Sequence, residues 1–436
     1  MLNKITAWSI YVLAILLSLQ TRYFIISGDL NDSYWEYGTF SIYVFDIFLL
    51  FSLVLVSVNK FRDGIGRFSI ANHWWSIAAF ELVVFISVFF ASSKALASFG
   101  YWRLLLGIGL FFIITEGKYK VKYFYISLII GAIFQSLIGI FQFFWQTNFS
   151  SKWFGIALHE VGELGTSVVE VFGSGRWLRA YGGLDHPNIF GVYLAIVLLL
   201  LITIALKYNF YINKNKCYYI FLILSLTILT LGVLCSFSRS AWVALIAGLI
   251  VMSVFAKFVG SLRTNKVLLK IIVLIFLFSG LFVSLNYELV ATRFKADTRL
   301  EQKSNKERID SYNKSYSIYS KNYFWGVGLN NYTLAYSALY PGKKAWFYQP
   351  VHNTYVLILT EIGFIGILAF FIMILTIISV GGIRGFKNNI MTSLLVAVFV
   401  AFLFDHWWWS SHFGLIFLFL ILGIYINNIK ENSVYS

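Results

Sequence analysis

The sequence predicts an all-α, polytopic integral membrane protein. Hydrophobic residues make up 59% of its 436 residues and charged residues 12%, whereas soluble domains are roughly 25% charged. Apolar stretches of about 17 to 25 residues, the length that crosses a hydrocarbon core of about 30 Å, recur along the whole chain. Short basic connections alternate with short acidic or neutral ones, which is typical of a chain that crosses a membrane repeatedly.

Hydropathy predicts about twelve membrane-spanning helices in a single transmembrane domain covering 1–436. The spans lie near residues 5–26, 39–58, 75–91, 96–115, 123–146, 184–206, 218–236, 239–258, 267–287, 351–380, 389–405 and 412–428. The pairs around Ser93 and Ser236 are separated by so little that each must form a tight hairpin. Only Lys4 precedes the first span and no small-residue cleavage site follows it, so we expect a retained helix rather than a signal peptide.

Two connections are long enough to build a specific site, at about 147–183 and 288–350. Neither is of low complexity. In the second, we predict a helix from about Lys303 to Lys321, which ends before the turn-forming Gly326 and Gly328.

The positions of the basic residues predict the orientation. Lys and Arg in short loops mark the cytoplasmic side, so both termini should be cytoplasmic and both long connections should face outward. The net charge of +15 then reflects topology and gives no reason to expect nucleic-acid binding. The basic connections carry Lys60, Arg62 and Arg67; Lys118, Lys120 and Lys122; Lys207, Lys214 and Lys216; Lys257, Arg263 and Lys266; and Arg384 and Lys387.

The two cysteines predict no site. A continuous helix would hold Cys217 and Cys235 roughly 27 Å apart, at about 1.5 Å per residue. We therefore expect neither a disulfide nor a metal site from them.

Several polar residues in or beside the spans are predicted to lie at the outer boundary, on separate segments. They are Arg176, Arg179, Arg239, Arg308, His352, Asp405 and His406. Arginine suits a phosphate or diphosphate, because its planar fork makes bidentate hydrogen bonds and keeps its charge when buried. Arg176, Arg179 and Arg239 could instead reach lipid headgroups, and Arg308 could pair with Glu307 or Asp310.

His352 and Asn353 begin a long apolar run. One interpretation is a helix start, capped by Asn353 or Thr354. The other is a histidine with a pKa near neutrality that accepts a proton from a substrate hydroxyl. Glu361 is more than two turns deeper, so it cannot be the direct partner of His352, and we expect it to pair within the bundle.

Two further motifs have both structural and functional interpretations. In "LDHPNIFG", Pro187 after Asp185 and His186 predicts a helix start, while the Asn188 amide one turn inside the span needs hydrogen-bond partners from the protein or from a substrate. The "HWWW" cluster after Asp405 predicts an aromatic belt at the membrane interface, whose rings could also stack on sugars.

Several reaction classes are not indicated. The sequence contains no P-loop, no His and Cys spacing for a metal, no dinucleotide glycine pattern and no outer pair of carboxylates. A transfer on the outer face would use a donor already activated on its own lipid, with a diphosphate leaving group and arginines in the place of a metal ion. We expect no cofactor.

Four segments resemble the signature regions of the O-antigen ligase and O-antigen polymerase superfamily. They are "RAYGGLDHPNIFGVYLA", "SFSRSAWVALIAGLI", "YFWGVGLNNY" and "VHNTYVLILTEIGFIGILAF", beginning at Arg179, Ser236, Tyr323 and Val351. They occur in the same order as in that superfamily. The part of the chain before Arg179 shows no such motif.

The resemblance implies a GT-C-like, inverting and metal-independent glycosyltransferase of the bacterial inner membrane whose site faces the periplasm. Its donor would be an undecaprenyl-diphosphate-linked glycan and its acceptor a hydroxyl of a lipid or glycan. His352 would be catalytic, and Arg179, Arg239 and Arg308 would bind the diphosphate. The matching supporting positions are Asp405, Asn353, His186 and Asn188.

Two alternatives remain open at this point. A polymerase would pass the glycan to the next lipid-linked repeat unit, and nothing in the sequence identifies the acceptor. A flippase or transporter is also a twelve-span protein, and "FRDGIGRF" from Phe61 to Phe68 faintly resembles a transporter loop. Transporters of that type have a long central cytoplasmic connection, which this sequence lacks.

Overall fold

The computed structural model describes residues 1–63, 72–163, 165–171, 175–208, 216–259, 262–295, 299–380 and 390–434. Within these ranges the chain is mostly helical, with two small antiparallel hairpins. Arg67, Lys214, Arg384 and Lys387, and most of the "FRDGIGRF" segment, lie outside the described residues.

The first half of the described chain contains six helices and four short strands. In chain order these are α1 (Leu2–Leu16), β1 (Arg22–Ile26), β2 (Phe40–Tyr43), α2 (Val44–Arg62), α3 (Asn72–Phe89), α4 (Lys94–Glu116), α5 (Val121–Trp145), β3 (Val168–Val171), β4 (Gly175–Leu178) and α6 (Pro187–Lys207).

The second half of the described chain is helical. Its elements are α7 (Lys216–Cys235), α8 (Arg239–Val259), α9 (Leu262–Leu285), α10 (Tyr287–Lys295), α11 (Arg299–Tyr319), α12 (Tyr332–Leu339), α13 (Thr354–Ser379), α14 (Thr392–Phe402), α15 (Trp407–Ser410) and α16 (His412–Val434).

Nine helices of the described chain are long and apolar enough to cross a membrane, namely α2, α4 to α9, α13 and α16. Three of the predicted spans fall on shorter apolar helices, α1, α3 and α14. The predicted tight hairpins are confirmed, because α3 and α7 end only a few residues before α4 and α8 begin. The protein is therefore an all-α polytopic membrane protein.

The predicted boundaries of the first two spans were wrong. The first helix ends at Leu16, and Arg22–Ile26 forms a strand instead. This strand pairs with Phe40–Tyr43, so the second helix begins only at Val44. The pairing satisfies the backbone hydrogen bonds of Arg22–Ile26 outside a helix, so the chain does not need to continue α1 through this segment.

The core of the bundle is α6. It is the only candidate span in the described residues whose apolar window is wholly buried by protein, and α5, α7 and α8 pack around it. The helix α16 is almost as buried and packs along α4. By contrast, α9 is largely uncovered. The N-terminal end of α6, which carries the LDHPNIFG motif, is thus surrounded by other helices.

The helix α13 is broken, and the loop before α12 fills the break. Gly363 has a φ of 70° inside the helical run. The Gly328 amide donates to the Glu361 carbonyl over 2.8 Å, and the Phe364 amide donates to the Tyr323 carbonyl over 2.9 Å. Hydrogen bonds lost within the helix are therefore replaced by the loop, as the interior of a membrane protein requires.

Glycine is needed on both sides of this break. A Cβ on Gly326 would lie 2.3 Å from the Glu361 carbonyl oxygen, and a Cβ on Gly363 would lie 2.2 Å from the Phe324 carbonyl oxygen. Both glycines also have positive φ angles, which favour glycine. The predicted turn at Gly326 and Gly328 is confirmed, and its role is to dock against α13.

The two long connections contain their own elements. The first, at about 147–183, carries the β3–β4 hairpin. The second carries α10, α11 and α12, and the helix predicted at Lys303–Lys321 is observed at Arg299–Tyr319. These elements place Arg179 and Arg308 next to the ends of the spanning helices, where the candidate site lies.

Candidate active site

A cavity of about 550 Å³ lies at one end of the bundle. Seven of the eight residues predicted for the site line it, and Asn353 does not. Those seven are Arg179, His186, Asn188, Arg239, Arg308, His352 and Asp405. The structure thus brings together residues from five separate segments of the sequence.

His352 faces this cavity from the residue pair before α13. Asn353 is the N-cap, since its Oδ1 accepts a hydrogen bond from the Val356 amide over 3.1 Å. The capping interpretation is therefore confirmed for Asn353, and His352 does not cap the helix. The Nδ1 atom of His352 is buried without a hydrogen-bond partner, and the ring lies edge-on to His406 with the ring centroids 5.4 Å apart.

The surroundings of His352 favour the neutral imidazole. Burial lowers its pKa below the ordinary value, the Asp405 carboxylate acts in the opposite direction, and the Arg308 guanidinium lowers it further. The net shift is downward. At neutral pH the ring can therefore accept a proton, which a general base requires.

Asp405, Asn188 and Arg179 form one hydrogen-bonded chain. Arg179 Nη2 donates to Asn188 Oδ1 over 2.8 Å, and Asn188 Nδ2 donates to Asp405 Oδ2 over 3.0 Å. The backbone amide of His406 donates to Asp405 Oδ1 over 2.9 Å. Despite burial, neighbouring imidazoles and these donors hold the pKa of Asp405 below its usual value. Asn188 is thereby explained by contacts within the protein.

Arg179 is held tightly by the protein. Its Nε donates to the Ser236 carbonyl over 2.8 Å, its Nη1 donates to Ser167 Oγ over 2.7 Å, and only 4% of the residue is exposed. Because these contacts and Asn188 engage all three of its nitrogens, Arg179 also braces the β4–α6 connection against the start of α8. Its predicted contact with a diphosphate remains a prediction.

His186 is the N-cap of α6, as the LDHPNIFG pattern predicted. Its Nδ1 accepts a hydrogen bond from the Asn188 amide over 3.1 Å. Burial and the nearby Arg179 lower its pKa to about 3. His186 is therefore neutral, and one of its ring nitrogens is committed to the helix start.

Three arginines, Arg239, Arg293 and Arg308, line both the main cavity and an adjoining one of about 240 Å³. Arg239 Nη1 donates to the Arg293 carbonyl over 3.1 Å, and Arg293 Nη2 donates to the Phe237 carbonyl over 3.0 Å. The adjoining cavity also has an apolar wall, which includes Val243 and Phe404. Such a cluster suits a polyanion attached to an apolar chain.

Arg308 lacks the ion pair that the sequence left open. Within the described ranges no carboxylate lies at ion-pair distance from it, and Glu307 pairs instead with Lys303. Its Nε is buried without a hydrogen-bond partner. Arg308 therefore presents a charge to the cavity rather than to a neighbouring side chain.

Sequence reasoning missed several cavity residues. Arg293 was not singled out because it lies in a charged stretch, although its place in the long connection that the sequence predicts to face outward was a usable signal. Arg22, Tyr37 and Arg103 come from the part of the chain before Arg179, where no motif was found. Arg176 lies on β4 outside the cavity lining, and its Nη1 and Nη2 donate to the carbonyls of the 162–163 turn.

The prediction of an aromatic belt at "HWWW" was wrong. The residues Trp407, Trp408 and Trp409 are at most 2% exposed, because α15 packs against both α13 and α16. Trp409 Nε1 donates to Glu361 Oε2 over 2.8 Å. Glu361 Oε2 also accepts from the Asn330 amide over 2.9 Å, so the expected pairing of Glu361 within the bundle is confirmed.

Comparison with known proteins gives one family. Residues 220–371 match the family model described as O-antigen ligase. That segment includes Arg239, Arg308 and His352, while Arg179 and Asp405 lie outside it. No curated protein matches the chain. The match supports the resemblance for three of the four motifs, since the motif that begins at Arg179 lies outside it. Over residues 220–371 the chain is similar to the O-antigen ligase family.

Proposed function

We propose that the protein is a metal-independent, inverting glycosyltransferase that uses an undecaprenyl-diphosphate-linked glycan as donor. The acceptor is a hydroxyl of another lipid or glycan, as in an O-antigen ligase. The observation that carries the proposal is that His352 lines the same cavity as an arginine cluster, at a buried position that lowers the pKa of its imidazole. One group can take a proton while the other stabilises a departing diphosphate.

The reaction then has one displacement step. The acceptor hydroxyl gives its proton to His352, and its oxygen forms a bond to the anomeric carbon of the donor. The bond from that carbon to the diphosphate oxygen breaks on the opposite face, so the configuration inverts. The negative charge that remains on undecaprenyl diphosphate is balanced by Arg239, Arg293 and Arg308.

The remaining residues hold this arrangement. Asp405 lies beside His352 and stabilises the imidazolium that forms, while Asn188 keeps Asp405 and Arg179 in register. The Thr354 hydroxyl donates to the Asp405 carbonyl over 2.7 Å and fixes the two segments to each other. The polyprenyl chain leaves the diphosphate site along the apolar wall at Val243 and Phe404.

We propose a GT-C-like fold with twelve spans, in the cytoplasmic membrane, with both termini inside. The short α1, α3 and α14 complete the count. In this orientation the cavity faces outward, since Asn188, Arg239 and His352 lie at or beside the N-terminal ends of α6, α8 and α13. This placement at one end of the bundle favours transfer over flipping, which needs polar residues along a path through the membrane.

The experiment is genetic complementation of a strain that lacks this gene, with surface and lipid-linked glycans separated on gels. Restored transfer by the wild type and loss with His352→Ala is expected. A strain without a ligase accumulates long glycan on the undecaprenyl carrier, whereas a strain without a polymerase accumulates single repeat units. If stable His352→Ala protein supports full transfer, the assignment of His352 is wrong.

A further inference from the structure

The cavity has a second end, which is built by the first half of the chain. Arg22, Glu36, Tyr37, Tyr43 and Arg103 line it. The resemblance and the family match leave these residues without a role, since both concern later segments. Arg103 differs from the others because it lies on a spanning helix, α4, at a buried position.

Arg103 is 9% exposed, and its Nη2 donates to the Ser410 carbonyl over 2.6 Å. Its guanidinium lies 5.8 Å from the Phe99 ring centroid. The Nε atom is buried without a hydrogen-bond partner. The side chain is thus held in place by one carbonyl and one ring, and its Nε–H group is left without an acceptor.

Two carboxylates near this end are occupied by other groups, while a third, Asp185, also lines the cavity and acts electrostatically on Arg22. Glu36 Oε2 accepts from Arg22 Nη2 over 2.9 Å and from the Tyr34 hydroxyl over 2.6 Å. Asp46 Oδ1 is 2.6 Å from His412 Nε2. Among the described residues, no carboxylate forms an ion pair with Arg103. A buried guanidinium without a counter-charge is costly within a membrane protein, and an anionic ligand in the cavity would remove that cost.

The position of Arg103 relative to His352 identifies which substrate would carry the anion. Ser410 Oγ is 2.8 Å from His406 Nδ1, and the His406 ring lies against that of His352. Arg103 is therefore separated from His352 by Ser410 and His406. Arg308 lies on the His352 side of this series, since it is among the charges that act on His352, and Arg239 and Arg293 line the adjoining cavity together with Arg308.

We propose that Arg103 binds a carboxylate or phosphate group on the sugar that brings the acceptor hydroxyl to His352. In an inverting displacement the acceptor approaches opposite the leaving group, so the end of the cavity away from the diphosphate arginines receives the acceptor. Tyr37 and Gln349 flank this end, with the Tyr37 hydroxyl donating to Gln349 Oε1 over 2.9 Å. They offer polar atoms to the hydroxyls of the same sugar.

The assignment to the acceptor rests on the proposed function, but the anion site itself does not. The test uses the full chain in lipid nanodiscs, with binding measured by saturation-transfer NMR. The probes are glucose, glucuronate and glucose 6-phosphate, which differ in the charge at one position. Undecaprenyl diphosphate binding is measured on the same samples as a separate readout.

We expect glucuronate or glucose 6-phosphate to bind at least about tenfold more tightly than glucose, and the preferred probe tells a carboxylate site from a phosphate site. Arg103→Gln should remove this preference, and Arg103→Lys should keep part of it. Arg176→Gln, which changes an arginine outside the cavity, should leave it intact. Undecaprenyl diphosphate binding should be unchanged in Arg103→Gln and weakened in Arg239→Gln.

Equal binding of all three probes by the wild type overturns the proposal, and so does a preference that persists in Arg103→Gln. Size-exclusion profiles show whether that variant folds. If Arg103→Gln does not fold, Arg103→Lys is used instead. A preference for the charged probe over glucose equal to that of the wild type then contradicts recognition by the guanidinium fork. If the wild type does not bind undecaprenyl diphosphate, the proposed function is contradicted. The result for the anion site then still stands, because it is measured separately.

Discussion

Asn188 Nδ2 donates a hydrogen bond to Asp405 Oδ2 over 3.0 Å, and so joins the start of α6 to the segment before α15. The same amide accepts from Arg179 through its oxygen. The uncharged side chain of Asn188 therefore lies between the Arg179 guanidinium and the Asp405 carboxylate and forms a hydrogen bond with each. The position of Asp405 beside His352 depends on this bridge.

Asn188→Ala should lower stability by about 2–4 kcal/mol, because hydrogen bonds to charged groups contribute roughly 1.5–3 kcal/mol each. Transfer should fall further than donor binding, since Asp405 loses its alignment. Thermal unfolding in nanodiscs and donor titrations measure the two effects. Asn313→Ala, on the outer helix α11, is the matched control and should change neither.

His352→Ala should reduce transfer by about 10²–10⁴-fold, the usual contribution of a general base. Donor binding should persist, because the arginine cluster is intact. The measurement is single-turnover transfer with purified protein and lipid-linked glycan. His159→Ala removes a histidine that stacks on Tyr181 outside the cavity lining, and an equal loss in that variant would contradict the role of His352.

Gln substitutions at Arg239, Arg293 and Arg308 should each weaken binding of undecaprenyl diphosphate by about tenfold or more, since a charge-assisted hydrogen bond contributes about 1.5–3 kcal/mol. Arg293 should matter as much as the other two, although the motifs did not reveal it. Titration of tryptophan fluorescence with the lipid measures the affinity. Arg176→Gln should bind as the wild type does.

The rate of transfer should fall as the pH drops through the pKa of His352, because only the neutral ring accepts a proton. Since burial and Arg308 lower that pKa, the acidic limb of kcat/KM should lie below pH 6.5. Arg308→Gln removes a cation and should move the limb to higher pH. Asp405→Asn removes an anion and should move it to lower pH. Shifts in the same direction for both variants would contradict this electrostatic account.

Glu361→Ala should destabilise the loop at residues 323–332 without changing a residue that lines the cavity. The carboxylate accepts from the amides of Asn330 and Tyr332 and from Trp409 Nε1. Leaving such donors buried and unpaired costs about 1–3 kcal/mol each. The melting temperature should therefore drop clearly, whereas that of Glu160→Ala, on the other outer connection, should not. Hydrogen exchange at residues 322–332 should increase only in the Glu361 variant.

The helical fold and the gathering of the site residues at one end of the bundle could be predicted because they follow from local patterns. Apolar runs show where helices lie, and Arg239 and His352 stand out as polar residues at the ends of such runs. The early end of α1 could not be predicted, because the strand at Arg22–Ile26 exists only through pairing with a segment further along the chain.

The remaining surprises also come from tertiary packing. Trp407 to Trp409 have the composition of an interfacial belt, yet the fold places them between helices. Arg103 looks like an ordinary cation within an apolar run, and only the carbonyl of Ser410 shows where it points. Contacts between residues so far apart in sequence leave no periodic signal in either segment.

The break in α13 constrains the order in which the chain can be assembled. Residues 323–328 leave the ribosome before the residues around Gly363 to which they bind. Until that partner arrives, the loop lacks its final hydrogen bonds, and the break in α13 is satisfied only when the two meet. The loop can thus dock only after α13 has been synthesised, so these hydrogen bonds form late in biosynthesis.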